Sequence, residues 1–249
     1  MEYYIASCVF TSRFPALSRR IQDTVSRRYG PQVVRCCVGR YKLREFEARM
    51  PEGTARDSWA QLPDSGAFRP GDRVYSLCHN CNNIIEEQHP GVLVRSLWEL
   101  IDSDKDFPLP DFSGLRVTVQ DCWRSRDRAE EQAAVRSLLR KMHIDYDEAP
   151  EHHAATEFCG VSLYRPQPPR NPRLAPKHYV DGAVGKFLPH SEEEQAALMR
   201  DYCACLLPQP VVCYCHYCLE GLQLGGVEVR HLAELIFPDA ASEKLFSTF

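Results

Sequence analysis

The sequence predicts an α/β protein made of two duplicated, small βαβ-type halves with cysteine ligands at strand ends. Three observations carry this. Short runs rich in Val, Ile, Leu and Tyr alternate with amphipathic stretches, which is the pattern of βαβ units and parallel sheets. A C-H-x-C motif occurs twice, in VYSLCHNC ending at Cys81 and in VVCYCHYC ending at Cys218. The pattern G-V-x-V-R-x-L-x-E-L-I follows each motif, starting at Gly91 and again at Gly226. Repetition at matched spacing outranks local propensity in reading a fold.

In the first half, residues 1–108, the β-rich run EYYIASC leads to Cys8. An amphipathic helix is expected over 15–28, then the adjacent pair Cys36 and Cys37, a turn-rich loop, and the strand that ends at the first C-H-x-C. A Pro- and Asp-rich segment, 102–114, divides the halves. In the second half, residues 109–249, LRVTVQDC leads to Cys122. A helix is expected over 130–142, with Ala133, Ala134, Leu138, Leu139 and Met142 on its apolar face. Phe158-Cys159-Gly160 follows. A Pro-rich insertion over 165–177 reads as neither regular helix nor central strand. A helix over 191–205 opens on S-E-E-E, with Ser191 as N-cap and acids in the first turn. The order is thus one cysteine, a cysteine cluster, then C-x-x-C, in each half.

Composition narrows the function. The chain has 249 residues, a net charge of −4, 44% hydrophobic and 26% charged residues, which excludes wholesale disorder. Weak acidity argues against a nucleic-acid binder that works by overall charge. No run approaches the roughly 18 apolar residues of a membrane span. The start, MEYYIASCVF, has no export-signal pattern, so a cytoplasmic, reducing location is expected. Disulfides are rare in that setting, and 12 cysteines then point to metal or cluster ligation.

The first half offers five thiols: Cys8, Cys36, Cys37, Cys78 and Cys81. The second offers four: Cys122, Cys159, Cys215 and Cys218. Four thiolates satisfy zinc or a cubane cluster, whereas five are one too many for either. Adjacent cysteines such as Cys36 and Cys37 fit one tetrahedral ion poorly and suit a cluster with separately reached irons. Cys213 is a candidate fifth ligand of the second set, on the same strand face as Cys215. Cys203 and Cys205 read as spare thiols.

The doubled order C…CC…C-x-x-C resembles the cysteine-rich CCG domain family, and within it the B subunit of heterodisulfide reductase. The resemblance spans nearly the whole chain. It implies a noncubane [4Fe-4S] cluster on Cys8, Cys36, Cys37, Cys78 and Cys81, at which a small thiol or disulfide substrate reacts. Val38 stands where the family has Gly, and Phe158 stands in place of the first cysteine of the second pair. The four remaining ligands of the second site then hold [4Fe-4S] or Zn, relaying electrons or binding substrate. The chain has no ferredoxin-type cysteine run and no G-x-G-x-x-G. A ferredoxin-like or flavin electron-donor subunit is therefore the expected partner. Two other readings stand beside this one: an electron-transfer subunit of an anaerobic dehydrogenase complex, and a zinc-held structural interaction module.

The remaining candidates surround the cysteines. His79 and His216, inside the C-H-x-C motifs, can donate a proton to a departing thiolate, or simply hydrogen-bond behind the ligands. His153, with His152 beside it, stands before Cys159 and is placed to line the second site; adjacent loop histidines are more often solvent-facing. Arg124, Arg126 and Arg128 can offset thiolate charge, hold an anionic substrate, or form a solvated surface with Asp127 and Glu130. Trp123 is either a shield for the site or core.

Overall fold

The computed structural model describes residues 1–35, 48, 52–66, 68–164, 173–206 and 208–239. Cys36, Cys37, Val38 and 165–172 of the Pro-rich insertion lie outside the described residues. Two compact units make up the chain: Met1–Leu100 with Arg173–Ala175, and Ile101–Pro172 with Pro176–Phe249.

Each unit holds one parallel four-stranded sheet. In the first, β1 (Glu2–Ala6), β2 (Gln32–Arg35), β3 (Arg73–Ser76) and β4 (Leu93–Ser96) lie in the order β2-β1-β3-β4. In the second, β5 (Arg116–Gln120), β6 (Asp145–Glu148), β7 (Val211–Cys213) and β8 (Val229–His231) lie in the order β6-β5-β7-β8. The registers correspond as well: Val74 pairs with Val94, and Val211 with Val229. After β1 the chain runs to β2 on one side, then returns across β1 to β3 on the other. The switch point of the sheet therefore lies between β1 and β3, and between β5 and β7. Open α/β sheets bind ligands there, beyond the strand carboxyl ends.

The helices follow from local chemistry. Helix Pro15–Tyr29 starts with Pro at its first turn, faces Leu17, Ile21 and Val25 inward at helical spacing, and stops at Gly30, whose φ of 70° suits a left-handed cap. Helix Glu192–Ala204 opens with the expected Ser191 cap, which forms a capping box with Glu194. Helix Ala129–Lys141 carries Glu130 and Glu131 in its first turn and Arg140 and Lys141 in its last, matching the helix dipole. Its buried face differs from expectation: Ala133 is exposed, while Glu131, Gln132, Val135 and Arg136 are buried. Arg136 turns inward because a buried carboxylate, Asp121, receives it. The end of the Pro-rich insertion also differs, since Pro176–Tyr179 is a short helix. Proline is tolerated there because the first helical residue has no intrahelical N–H bond to lose.

The repeated pattern now has a physical reading. Its glycines, Gly91 and Gly226, adopt φ of 84° and 85°, open only to residues that tolerate left-handed backbone. Its Leu97 and Leu232 are fully buried, as are Ile101 and Ile236 one turn later. Its glutamates close capping boxes. Glu99 accepts the Ser96 N–H at 2.7 Å, and Glu234 accepts the His231 N–H at 2.7 Å.

Candidate metal centre

In the second unit, four distant cysteines converge. The buried Sγ atoms of Cys122, Cys159, Cys215 and Cys218 all lie within 4.8 Å of one another. Cys122 follows β5 and caps the 3-10 turn Trp123–Ser125, whereas Cys215 follows β7 and caps helix His216–Leu224. Cys218 sits in the first turn of that helix. These adjacent strands flank the switch point, so the topology itself brings three of the thiols together.

Cys159 is delivered by its neighbour. Gly160 has φ of 55°, and a Cβ there would stand 1.9 Å from the Tyr217 carbonyl oxygen. A Cβ on Gly221 would in turn stand 2.5 Å from the Gly160 Cα. Only two glycines allow the 3-10 turn Gly160–Leu163 to rest on helix His216–Leu224, and that contact carries Cys159 to Cys215 and Cys218. Phe158 is not a ligand but a packing residue. It stacks on Tyr202 at 4.2 Å, and its carbonyl accepts the Trp123 N–H at 2.8 Å.

Strand ends are braced below the thiols. Asp121, directly before Cys122, binds Arg136 through two bonds of 2.6 and 2.7 Å. It also accepts the hydroxyl of Tyr214, the residue before Cys215, at 2.6 Å and the backbone N–H of His153 at 2.7 Å. The Asp121 carboxyl loses solvation by burial, but these donors outweigh that and hold it below the usual carboxylate range.

Electrostatics divide the four thiols. Burial pushes Cys122 and Cys218 well above the ordinary thiol range. Burial also opposes ionisation of Cys159, yet the hydrogen bond from Cys122 at 3.4 Å and the adjacent Arg124 charge prevail, and its pKa falls. Arg124 is buried and donates to both Cys159 Sγ and Ser162 Oγ. Its guanidinium lies 5.6, 5.5 and 5.1 Å from the ring centres of Tyr179, Phe187 and Tyr217. Arg126, by contrast, lies over Trp123, which is itself buried against Phe187.

This arrangement suits a single ion. With metal–sulfur bonds of about 2.3 Å, a tetrahedral site sets its sulfurs about 3.8 Å apart. A cubane cluster spreads them wider, because each sulfur meets a different iron. Four thiolates on a divalent ion leave two negative charges, of which Arg124 offsets one. Cys213 lies outside the set, with its thiol turned to the Cys215 carbonyl at 3.8 Å. Cys203 is buried toward the Leu222 carbonyl, and Cys205 is exposed.

The first unit uses the same positions. Cys8 follows β1 and opens helix Cys8–Arg13; Cys78 follows β3 and caps helix His79–Gln88, with Cys81 in its first turn. The hydrogen bond from Cys81, together with Ser7 and His79, brings the Cys78 thiol down to about 7 against its burial. Among the described residues, Cys8, Cys78 and Cys81 do not form a trio with all ligand atoms within 4.8 Å. Cys36 and Cys37 complete the expected set but are outside the described residues.

The histidines divide into two kinds. His79 and His216 are the first residues of their helices and are buried; the His216 ring centre lies 4.2 Å from that of Tyr217. His153 groups with Glu148 and His152 rather than with the thiols. Sequence reasoning missed Asp121, Tyr214 and Arg136, although the first two directly precede ligand cysteines. It also missed Tyr179 and Phe187, which stand beyond the insertion and carry no local signal.

The fold and site define a class: a two-sheet α/β protein with a buried four-cysteine set able to hold a metal. No family model, curated protein or solved structure matches the chain. Among the described residues, no helix is long and apolar enough to cross a membrane.

Proposed function

We propose that this protein is a thiolate-metal redox protein of the heterodisulfide reductase B type, with unlike centres in its two units. The observation that carries the reading is the convergence of Cys122, Cys159, Cys215 and Cys218 at the switch point, with Cys8, Cys78 and Cys81 at the same positions of the other sheet. The close sulfur spacing of the second unit favours one zinc ion there over a cubane cluster. The first unit supplies a fifth thiol, one more than a single tetrahedral ion takes, in keeping with a noncubane [4Fe-4S] cluster on Cys8, Cys36, Cys37, Cys78 and Cys81. Its chemistry, once the cluster is bound, is electron transfer to sulfur.

A disulfide becomes two thiols on taking up two electrons and two protons. The electrons come from a ferredoxin-like or flavin partner. His79, next to Cys78, is the candidate donor of a proton to a departing thiolate.

Metal analysis of protein purified without oxygen tests this. About four iron, four sulfide and one zinc per chain are expected, with an iron–sulfur EPR signal on oxidation or reduction. Zinc alone would overturn the redox reading and leave a zinc-held interaction module. About eight iron without zinc would overturn the unlike pairing.

A further inference from the structure

A second cluster of ligating groups lies apart from the thiols. Glu148, the last residue of β6, His152, and His153, which opens the 3-10 turn His153–Ala155, have ligand atoms all within 4.8 Å of one another. The two imidazole Nδ1 atoms are 2.7 Å apart. His153 holds this position with φ of 54°, while its N–H is tied to Asp121.

We propose that Glu148, His152 and His153 form a second, solvent-accessible site for a divalent transition-metal ion of octahedral or tetragonal preference. Two nitrogens 2.7 Å apart, each about 2.05 Å from one ion, subtend about 80° at it. That is near the right angle of octahedral and tetragonal ions. A tetrahedral ion would hold the nitrogens about 3.3 Å apart. Two imidazoles and one carboxylate are ligands for nickel, copper or iron rather than calcium or magnesium. The local charge agrees. Arg136 is shared between Asp121 and Glu148, so two carboxylates face one guanidinium and one negative charge is left over. Arg136 donates to both Glu148 oxygens, through Nε to Oε1 at 3.1 Å and through Nη2 to Oε2, so the ion takes the remaining lone pair of Oε1, the more weakly bonded oxygen, while Asp121 holds Arg136 in place. Because His152 is exposed, water completes the shell. The site does not depend on which metal the thiols hold.

Nickel(II) added to the full-length protein, with its thiol centres filled as purified, provides the test. Equilibrium dialysis is expected to show one nickel per chain beyond the resident metals, with nitrogen and oxygen but no sulfur in its X-ray absorption shell. His152→Ala, at an exposed position, and His153→Asn, which tolerates positive φ, should each weaken binding by more than the about tenfold typical of losing an outer-shell partner. Glu148→Gln should weaken it too. The resident iron and zinc should be unchanged in all three variants, which separates this result from the metal analysis above. No added nickel, a sulfur shell, or unchanged binding in the variants would overturn the proposal and leave the two imidazoles sharing a proton.

Discussion

Arg124 sets the charge of the four-thiol group from inside a box of three rings. A buried guanidinium on a thiolate is a charge-assisted bond worth about 1.5–3 kcal/mol. Arg124→Met keeps much of the packing and removes the charge, so competition against a chelator should show metal affinity lower by about 10- to 100-fold. Gly160 is equally decisive, for steric reasons. Gly160→Ala forces a Cβ onto the Tyr217 carbonyl from a left-handed backbone, at a cost of about 2–3 kcal/mol. Calorimetry should show a lower melting temperature, and metal titration a weaker affinity at the four-thiol set.

The thiols also predict a pH dependence. Cys122 and Cys218 have pKa values raised by burial, so the metal-free form keeps their protons at neutral pH. A folded-state pKa above the unfolded one adds stability below the unfolded value, about 8.5, and that stability is lost as pH rises beyond it. The melting temperature of metal-free protein should therefore fall above about pH 8.5, while metal-loaded protein, with no thiol proton to lose, should not share the fall. Equal falls in both forms would show that these thiols are not the ligands.

Caps and braces decide stability among the elements. Glu99 and Glu234 close the capping boxes of corresponding helices, and Glu234→Ala should cost about 1 kcal/mol in urea unfolding. The Asp121–Arg136 pair is buried and shared with Tyr214, so Asp121→Ala leaves Arg136 on Glu148 and removes the acceptor of the Tyr214 hydroxyl. The cost should be about 1–3 kcal/mol, because buried donors of Arg136 and Tyr214 lose their acceptor while Glu148 still offsets the charge. The same variant should loosen the ends of β5 and β7 together, visible as faster hydrogen exchange in both strands. A small effect confined to Arg136 would show that the brace carries little.

Across the whole molecule, two units share one strand order and place their cysteines at one topological point. Much of this was legible in the sequence. The doubled C-H-x-C and the glycine–valine–glutamate pattern report strand ends, left-handed turns and capping boxes, all of which are local. The helix over 191–205 was legible for the same reason, because a capping box spans only four residues. Legibility ended where side chains from separate segments meet. Ala133 looked apolar and inward by periodicity, yet Arg136 took the interior because Asp121 waited there. Phe158 read as a missing ligand, and only its stack on Tyr202 made it a packing residue. His153 read as lining the thiol site, but the Asp121 contact holds it beside His152 and Glu148.

Sequence alone thus determined the α/β class, the duplication and the residue types at each strand end, because short-range periodicity and backbone conformation are written in neighbouring residues. Tertiary structure alone decided which thiols meet, which cation they face and how closely the sulfurs approach. Those outcomes depend on Gly160 and Gly221 touching and on rings beyond the insertion closing over Arg124, contacts between segments far apart in the chain that only packing can bring together.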